Sequence, residues 1–289
     1  MLLEEVRRSC AELAASSRSV RIDLDRLGSV EPGPEPVLDP KAHYLEGSRE
    51  DVVAYLLTLD AINFGSGWFP TLHKLPGRSG YYTVARGLAD HWRAAGRWSA
   101  EALRSLDSAE VARVLGQEEG HELMGLYAQA LRDLGGFLGE RSAVDAMAAA
   151  GGSAERLAEQ LAAGMPFFAD RGFYKRAQIT ANDLALAGVA EFGDLDRLTI
   201  FADNLVPHVL RVDGVLVYDE GLAAQIDAGE LLAPGREEQE IRACALHACE
   251  LTATELGVPP RKLDTWLWDR GQEPRYKALP RHRTRSVYY

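Results

Sequence analysis

Between positions 81 and 164 the chain repeats one pattern, apolar residues at helical spacing interrupted at Gly96, Ser108, Gly116, Gly135-Gly136 and Gly151-Gly152. Segments of that length and period bury their apolar faces only against one another, which restricts the chain to a helix-on-helix architecture. The alanine-rich stretches VDAMAAAGG and LAEQLAAG allow the close helix approach that such packing requires. Leu2, Leu3, Val6, Cys10 and Leu13 place a further amphipathic helix at the start, and SRED at positions 48–51 has the spacing of a capping box opening another. REEQEIRACALHACELTATELG and PPRKLDTWLWDRG predict two more near the end. VRIDLDRL (20–27) reads as a short strand or an extended link, and GVLVYDEGL has room for one short strand. The fold expected is mainly α, a compact multi-helix domain with at most a minor β element. With 289 residues and 46% hydrophobic side chains the chain can fill one core, so a single domain over 1–289 is expected. Residues 1–40 would be a helix and linker on that body, because EPGPEPVLDP carries four prolines in ten residues and excludes regular structure.

Charge then narrows the partners. Forty-three acidic against 32 basic residues give −11, which opposes a phosphate backbone as main ligand. The segment RYKALPRHRTRSVYY from Arg275 departs from that balance and reads either as a solvated basic tail or as an ordered segment meeting a small phosphate. No run of about 18 apolar residues and no secretory leader occur, and three cysteines make no disulfide framework. A soluble cytoplasmic protein is expected. HELMG lacks the second histidine of a zinc helix, and Cys244, His247 and Cys249 lack zinc spacing. No phosphate-binding or dinucleotide glycine loop is present, so neither metal nor cofactor is implied.

The remaining chemistry lies where polar residues interrupt apolar runs. TIFADNLVPHVL sets Asp203 among Ile200, Phe201, Leu205 and Val206, either as a helix cap or as a working carboxylate. LDAINFGSGWFP offers Asp60, Asn63, Ser66 and Trp68 at a Gly-broken helix end. FYKRAQI offers Lys175 and Arg176, and LDTWLWD offers Asp264, Trp266, Trp268 and Asp269. Each cluster alone also fits a structural role in capping, loop bracing or core packing.

Taken in order, with the EQEIRAC helix and the closing RHRTRSVYY, these blocks resemble those of the queuosine salvage protein family. The resemblance runs over nearly the whole chain and implies a helical fold similar to helix-hairpin-helix DNA glycosylases. It also implies an N-glycosidase that releases queuine from queuosine 5′-phosphate, and more weakly from queuosine, for re-use in tRNA. On that basis Asp203 would stabilise or attack the oxocarbenium-like ribose, and Lys175 would be the second essential residue. Asp60, Asn63 and neighbouring groups including Ser66 would hold the polar edge of the base, with Phe64 or Tyr174 stacking on its face. Asp60, Asp264 or Glu240 would meet its ammonium. His43 and the basic tail remain for the phosphate or sugar. The expected partner is this small molecule, bound by a monomer. Two other classes stay open: a non-catalytic carrier of the base or nucleoside, and a helical interaction module whose aromatic clusters are only core.

Overall fold

The computed structural model describes residues 1–28 and 30–289 with their side chains, and the backbone of Ser29. Among the described residues the chain forms fourteen α-helices and one two-stranded sheet. The first half contains α1 (Leu2–Ala15), α2 (Arg49–Ala61), α3 (Gly80–Ala95), α4 (Ala100–Ser105), α5 (Ser108–Leu115), α6 (Glu122–Leu138) and α7 (Ala143–Ala148). The second contains α8 (Ala154–Gly164), α9 (Lys175–Leu186), α10 (Leu205–Val212), α11 (Glu220–Asp227), α12 (Arg236–Leu256), α13 (Pro260–Arg270) and α14 (Pro274–Lys277). The strands β1 (Val20–Ile22) and β2 (Leu216–Tyr218) pair antiparallel, with Arg21 opposite Val217. The mainly α architecture and the two short strands are those the sequence predicts.

The local signals act as expected in most places. Ser48 and Asp51 close a reciprocal capping box at the start of α2. Gly116 and Gly257 end α5 and α12 in the left-handed conformation, where a side chain would be strained. The expected break at Gly135-Gly136 does not occur, and α6 runs through it to Leu138. The reason is packing: a Cβ on Gly135 would lie 2.7 Å from the Ala100 carbonyl oxygen and 2.8 Å from the Arg104 amide nitrogen. Gly135 is therefore the contact that lets α4 lie against α6.

One contiguous apolar cluster runs from Leu2 to Tyr276. The helix α2 sits inside it, with every residue from Val52 to Ala61 buried, and packs on α3, α6, α7 and α9. A helix buried all round should be apolar on every face. The helix α9 is equally enclosed, yet it buries Lys175, Arg176, Gln178, Thr180, Asn182 and Asp183. The proline linker lies against α13, where the Trp266 indole donates to the Pro34 carbonyl (2.6 Å) and Lys262 pairs with Glu35 (2.6 Å). Among the described residues no helix is long and apolar enough to cross a membrane.

The basic segment is ordered. His282, Thr284 and Tyr289 are buried, Arg283 donates to the Gly229 carbonyl (2.6 Å), and the Gly65 amide donates to the Tyr289 carbonyl (2.9 Å). A Cβ on Gly67 would collide with the Thr284 backbone, so glycine there lets the segment close over the end of α2.

Candidate active site

Three of the buried polar residues of α9 are absorbed by the fold. Arg176 donates to the carbonyls of Ala61 (2.6 Å), Phe167 and Val287 (2.6 Å), which caps the carboxyl end of α2, and its guanidinium lies over the Phe64 and Phe168 rings. Gln178 bridges the Phe173 carbonyl and Thr199, and Thr180 bonds back to the Arg176 carbonyl. Lys175, Asn182 and Asp183 remain, and all three line one cavity of about 500 Å³. They share a face of α9 with Ile179 and Leu186, at the helical spacing i, i+4, i+7, i+8 and i+11.

Asp203 enters the same cavity from the loop before α10. Its Oδ1 accepts from the amides of Leu205 (2.7 Å) and Val206 (3.3 Å). Those bonds fix the carboxylate at the amino end of α10. The helix-cap reading is thus observed, and because the cap uses Oδ1 it does not exclude a working carboxylate. Burial pushes the Lys175 ammonium below its ordinary value, and Asp203 is the foremost charge opposing that, ahead of Asp60. Lys175 donates to the Asn63 side-chain oxygen (3.2 Å) and carbonyl (3.3 Å). Asp264, on α13, accepts from the Phe201 amide at 2.8 Å. Burial, helped by the charge of Asp203, pushes the Asp264 carboxyl up to about 7.

An ion pair outside the cavity ties these parts together. Arg242 forks onto Asp170 at 2.5 and 3.1 Å, and its Nε donates to the Ala202 carbonyl (2.9 Å), one residue before Asp203. Asp170 accepts from the Lys175 amide at 3.3 Å. Tyr174, between them, is the one non-glycine residue with a left-handed backbone among those described, φ 51°. That strained residue starts α9 immediately before Lys175, where backbone strain of this kind commonly serves a site.

The sequence-derived candidates divide by position. His43, Asn63, Phe64, Ser66, Lys175, Asp203 and Asp264 all border the cavity. The contacts available to several of them are narrower than the expected roles. Asn63 is occupied between Lys175 and Asp60. Phe64 is enclosed edge-on by Tyr127 and Phe167, with Arg176 on its face, so no ring face is free for stacking. The His43 Nδ1 lies 2.8 Å from the Asp39 carbonyl, which only accepts, so Nδ1 carries the proton and Nε2 accepts from the Tyr81 hydroxyl (2.8 Å). Burial holds that ring neutral, and it offers no free N–H to a phosphate.

Asp60 lies fully buried outside the lining, with Oδ1 on Asn63 and burial pushing its carboxyl up to about 7. Tyr174 also stands outside the lining, where Glu5, Arg171 and Asp170 are its charged neighbours. Glu240 is taken by the Ser17 hydroxyl and the amides of Arg18 and Ser19. The acidic and stacking positions that do reach the cavity are Asp183, Asp269, Tyr81, Tyr82 and Trp268. Sequence reasoning missed Asp183, although its signal was present: a carboxylate inside an otherwise helix-forming apolar segment, eight residues after Lys175. Arg281 and Lys277 bring the basic segment to the cavity, and His208, whose ring bonds the Tyr276 carbonyl through Nε2 (2.8 Å), presents Nδ1 without a partner.

Fold and site together define an α-helical protein with an acidic, aromatic-walled cavity sized for one small molecule and crossed by a carboxylate and an ammonium. The profile of the queuosine salvage protein family matches residues 42–289, and the chain belongs to that family. A relative from Sphaerobacter thermophilus, named queuosine 5′-phosphate N-glycosylase/hydrolase, is 34% identical over 279 residues, 88% of this chain and 86% of its own. Relatives of the same name from Nematostella vectensis and Mus musculus are 26% identical over 87% of this chain (85% of theirs) and 34% identical over 48% (49% of theirs).

Proposed function

We propose that the protein hydrolyses the N-glycosidic bond of queuosine 5′-phosphate, releasing queuine and ribose 5-phosphate. The observation that carries this reading is Asp203, held by the first amides of α10 and lining one cavity with Lys175, in a member of this family. As the C1′–N bond breaks, positive charge grows on the ribose and negative charge on the base. A carboxylate already oriented by two backbone amides stabilises the ribose cation without reorganising. Lys175 lines the same cavity, and Asp203 is the foremost charge supporting its buried ammonium.

The leaving group needs separate help, because a 7-deazapurine has no N7 to protonate. Asp264, with its carboxyl raised to about 7, holds a proton over the lower part of the neutral range and can donate a hydrogen bond to the departing base. Water adds to C1′ and the base takes up the proton that balances the reaction. Arg281 and Lys277 supply positive charge for the 5′-phosphate on the side of Asp203, and Tyr81, Tyr82 or Trp268 takes the stacking role.

The test is incubation of the purified protein with queuosine 5′-phosphate beside guanosine 5′-phosphate, with free base followed by chromatography and mass. Release of queuine with the control intact is expected. Tight binding without release would instead identify a carrier.

A further inference from the structure

The catalytic assignment leaves one built feature of the cavity unused. Asp183 is 4% exposed and lines the cavity, and its hydrogen-bond partner is the Asn182 amide at 3.3 Å. No ion pair to it occurs among the described residues. Asn182 is 3% exposed, lines the same wall, and leaves its Oδ1 without a partner. A buried carboxyl beside a buried, unsatisfied carbonyl oxygen is costly unless a hydrogen-bonding partner reaches them. The two acceptors point to a ligand group that donates hydrogen bonds and carries positive charge.

The surroundings agree. Asp60 and Asp264 add like charge to Asp183, and Lys175, eight residues earlier on α9, opposes them while engaged with Asn63. Burial therefore pushes the Asp183 carboxyl well up when the cavity is empty. On the adjoining wall Tyr81, Tyr82 and Trp268 form an edge-on triad with ring centroids 5.5 to 5.9 Å apart, a lining suited to a cation. Five carboxyl groups, Asp39, Asp183, Asp203, Asp264 and Asp269, line the cavity against Lys175, Lys277 and Arg281. That many acidic groups around one cavity suit a ligand with a cationic end besides its phosphate.

We infer that Asp183 and Asn182 form a specificity subsite for the protonated amine of the side arm carried by the base, at the end of the cavity away from the phosphate. This rests on the function proposed above and deepens it. The pair distinguishes the arm-bearing base from a plain guanine or 7-deazaguanine, since the latter would leave both acceptors unpaired.

The experiment compares wild type with Asp183→Asn. It measures kcat and KM on queuosine 5′-phosphate, and inhibition of that reaction by queuine and by 7-deazaguanine, which lacks the arm. Asp183→Asn keeps the shape and removes the charge, so KM for the nucleotide and the inhibition constant of queuine should each rise about 10- to 100-fold. The constant for 7-deazaguanine should stay within about 3-fold, within the reach of secondary packing effects. Asp183→Glu should recover part of the loss. Equal losses for both bases would overturn the inference, since the carboxyl would then read the purine edge or support the core; no loss for either would overturn it too. If Asp183→Asn does not fold, Asn182→Ala asks the same question through the ratio of the two inhibition constants. Wild-type protein that releases no queuine would instead overturn the proposed function, so the two failures are separable.

Discussion

On the proposed mechanism Asp203 serves fold and chemistry at once. Its Oδ1 accepts the amides that start α10, a task asparagine performs equally well. Asp203→Asn should therefore leave the melting temperature nearly unchanged while lowering kcat on the order of 10²-fold or more, measured as queuine released per unit time. A drop in stability with activity retained would place the residue on the structural side alone. Asp264 and Asp60 give the residue scale a pH signature. Burial raises both folded-state values to about 7 from an ordinary 3.8. Between those values the folded protein binds more protons than the unfolded chain, so stability should fall as pH rises from about 4 to 7 and level off above. Denaturant unfolding at pH 5.5 and pH 8 checks the sign, and Asp264→Asn should flatten the difference.

At the scale of elements, the site is the meeting of two enclosed helices and one loop. The carboxyl end of α2 is capped by Arg176, the start of α9 by Asp170, and the loop carrying Asp203 is held by Arg242 through the Ala202 carbonyl. Asp170 and Arg242 thus register Lys175 against Asp203 without touching the cavity. Loss of the Asp170 charge leaves the buried Arg242 guanidinium with Glu238 (3.3 Å) as its remaining carboxylate, so the cost should fall short of about 3–5 kcal/mol, that of a fully stranded charge. Asp170→Asn should show that loss in denaturant unfolding, together with a fall in kcat larger than any change in KM. An unchanged kcat in the folded variant would leave the pair a purely stabilising one. Ser48→Ala provides the contrast: loss of the capping box should cost about 1 kcal/mol and leave turnover alone.

Across the whole molecule, the cavity wall is assembled from segments far apart in the chain: the proline linker at Val37, Leu38 and Asp39, the end of α2, α9, α13 and the basic segment at Arg281. A ligand that fills it should tie them together, adding about 2.7 kcal/mol of stability at 100 times its Kd and slowing protease cleavage within residues 31–40. Most of the secondary structure was legible beforehand, because apolar period, Ser48 with Asp51, and the glycines at 96, 116 and 257 act over a few residues. Gly135 misled because its reason lies in α4, more than thirty residues earlier. Asp60 and Tyr174 belong to the right blocks yet stand outside the lining, whereas Asp183 lines it. The sequence by itself determined the helices and the blocks that gather polar residues in apolar runs, and left the pairing of the two short strands open. Only the tertiary structure decided which side chain of each block faces the cavity and which is spent on a carbonyl or a neighbouring carboxyl, because helix rotation and packing are set by contacts between residues more than a hundred positions apart.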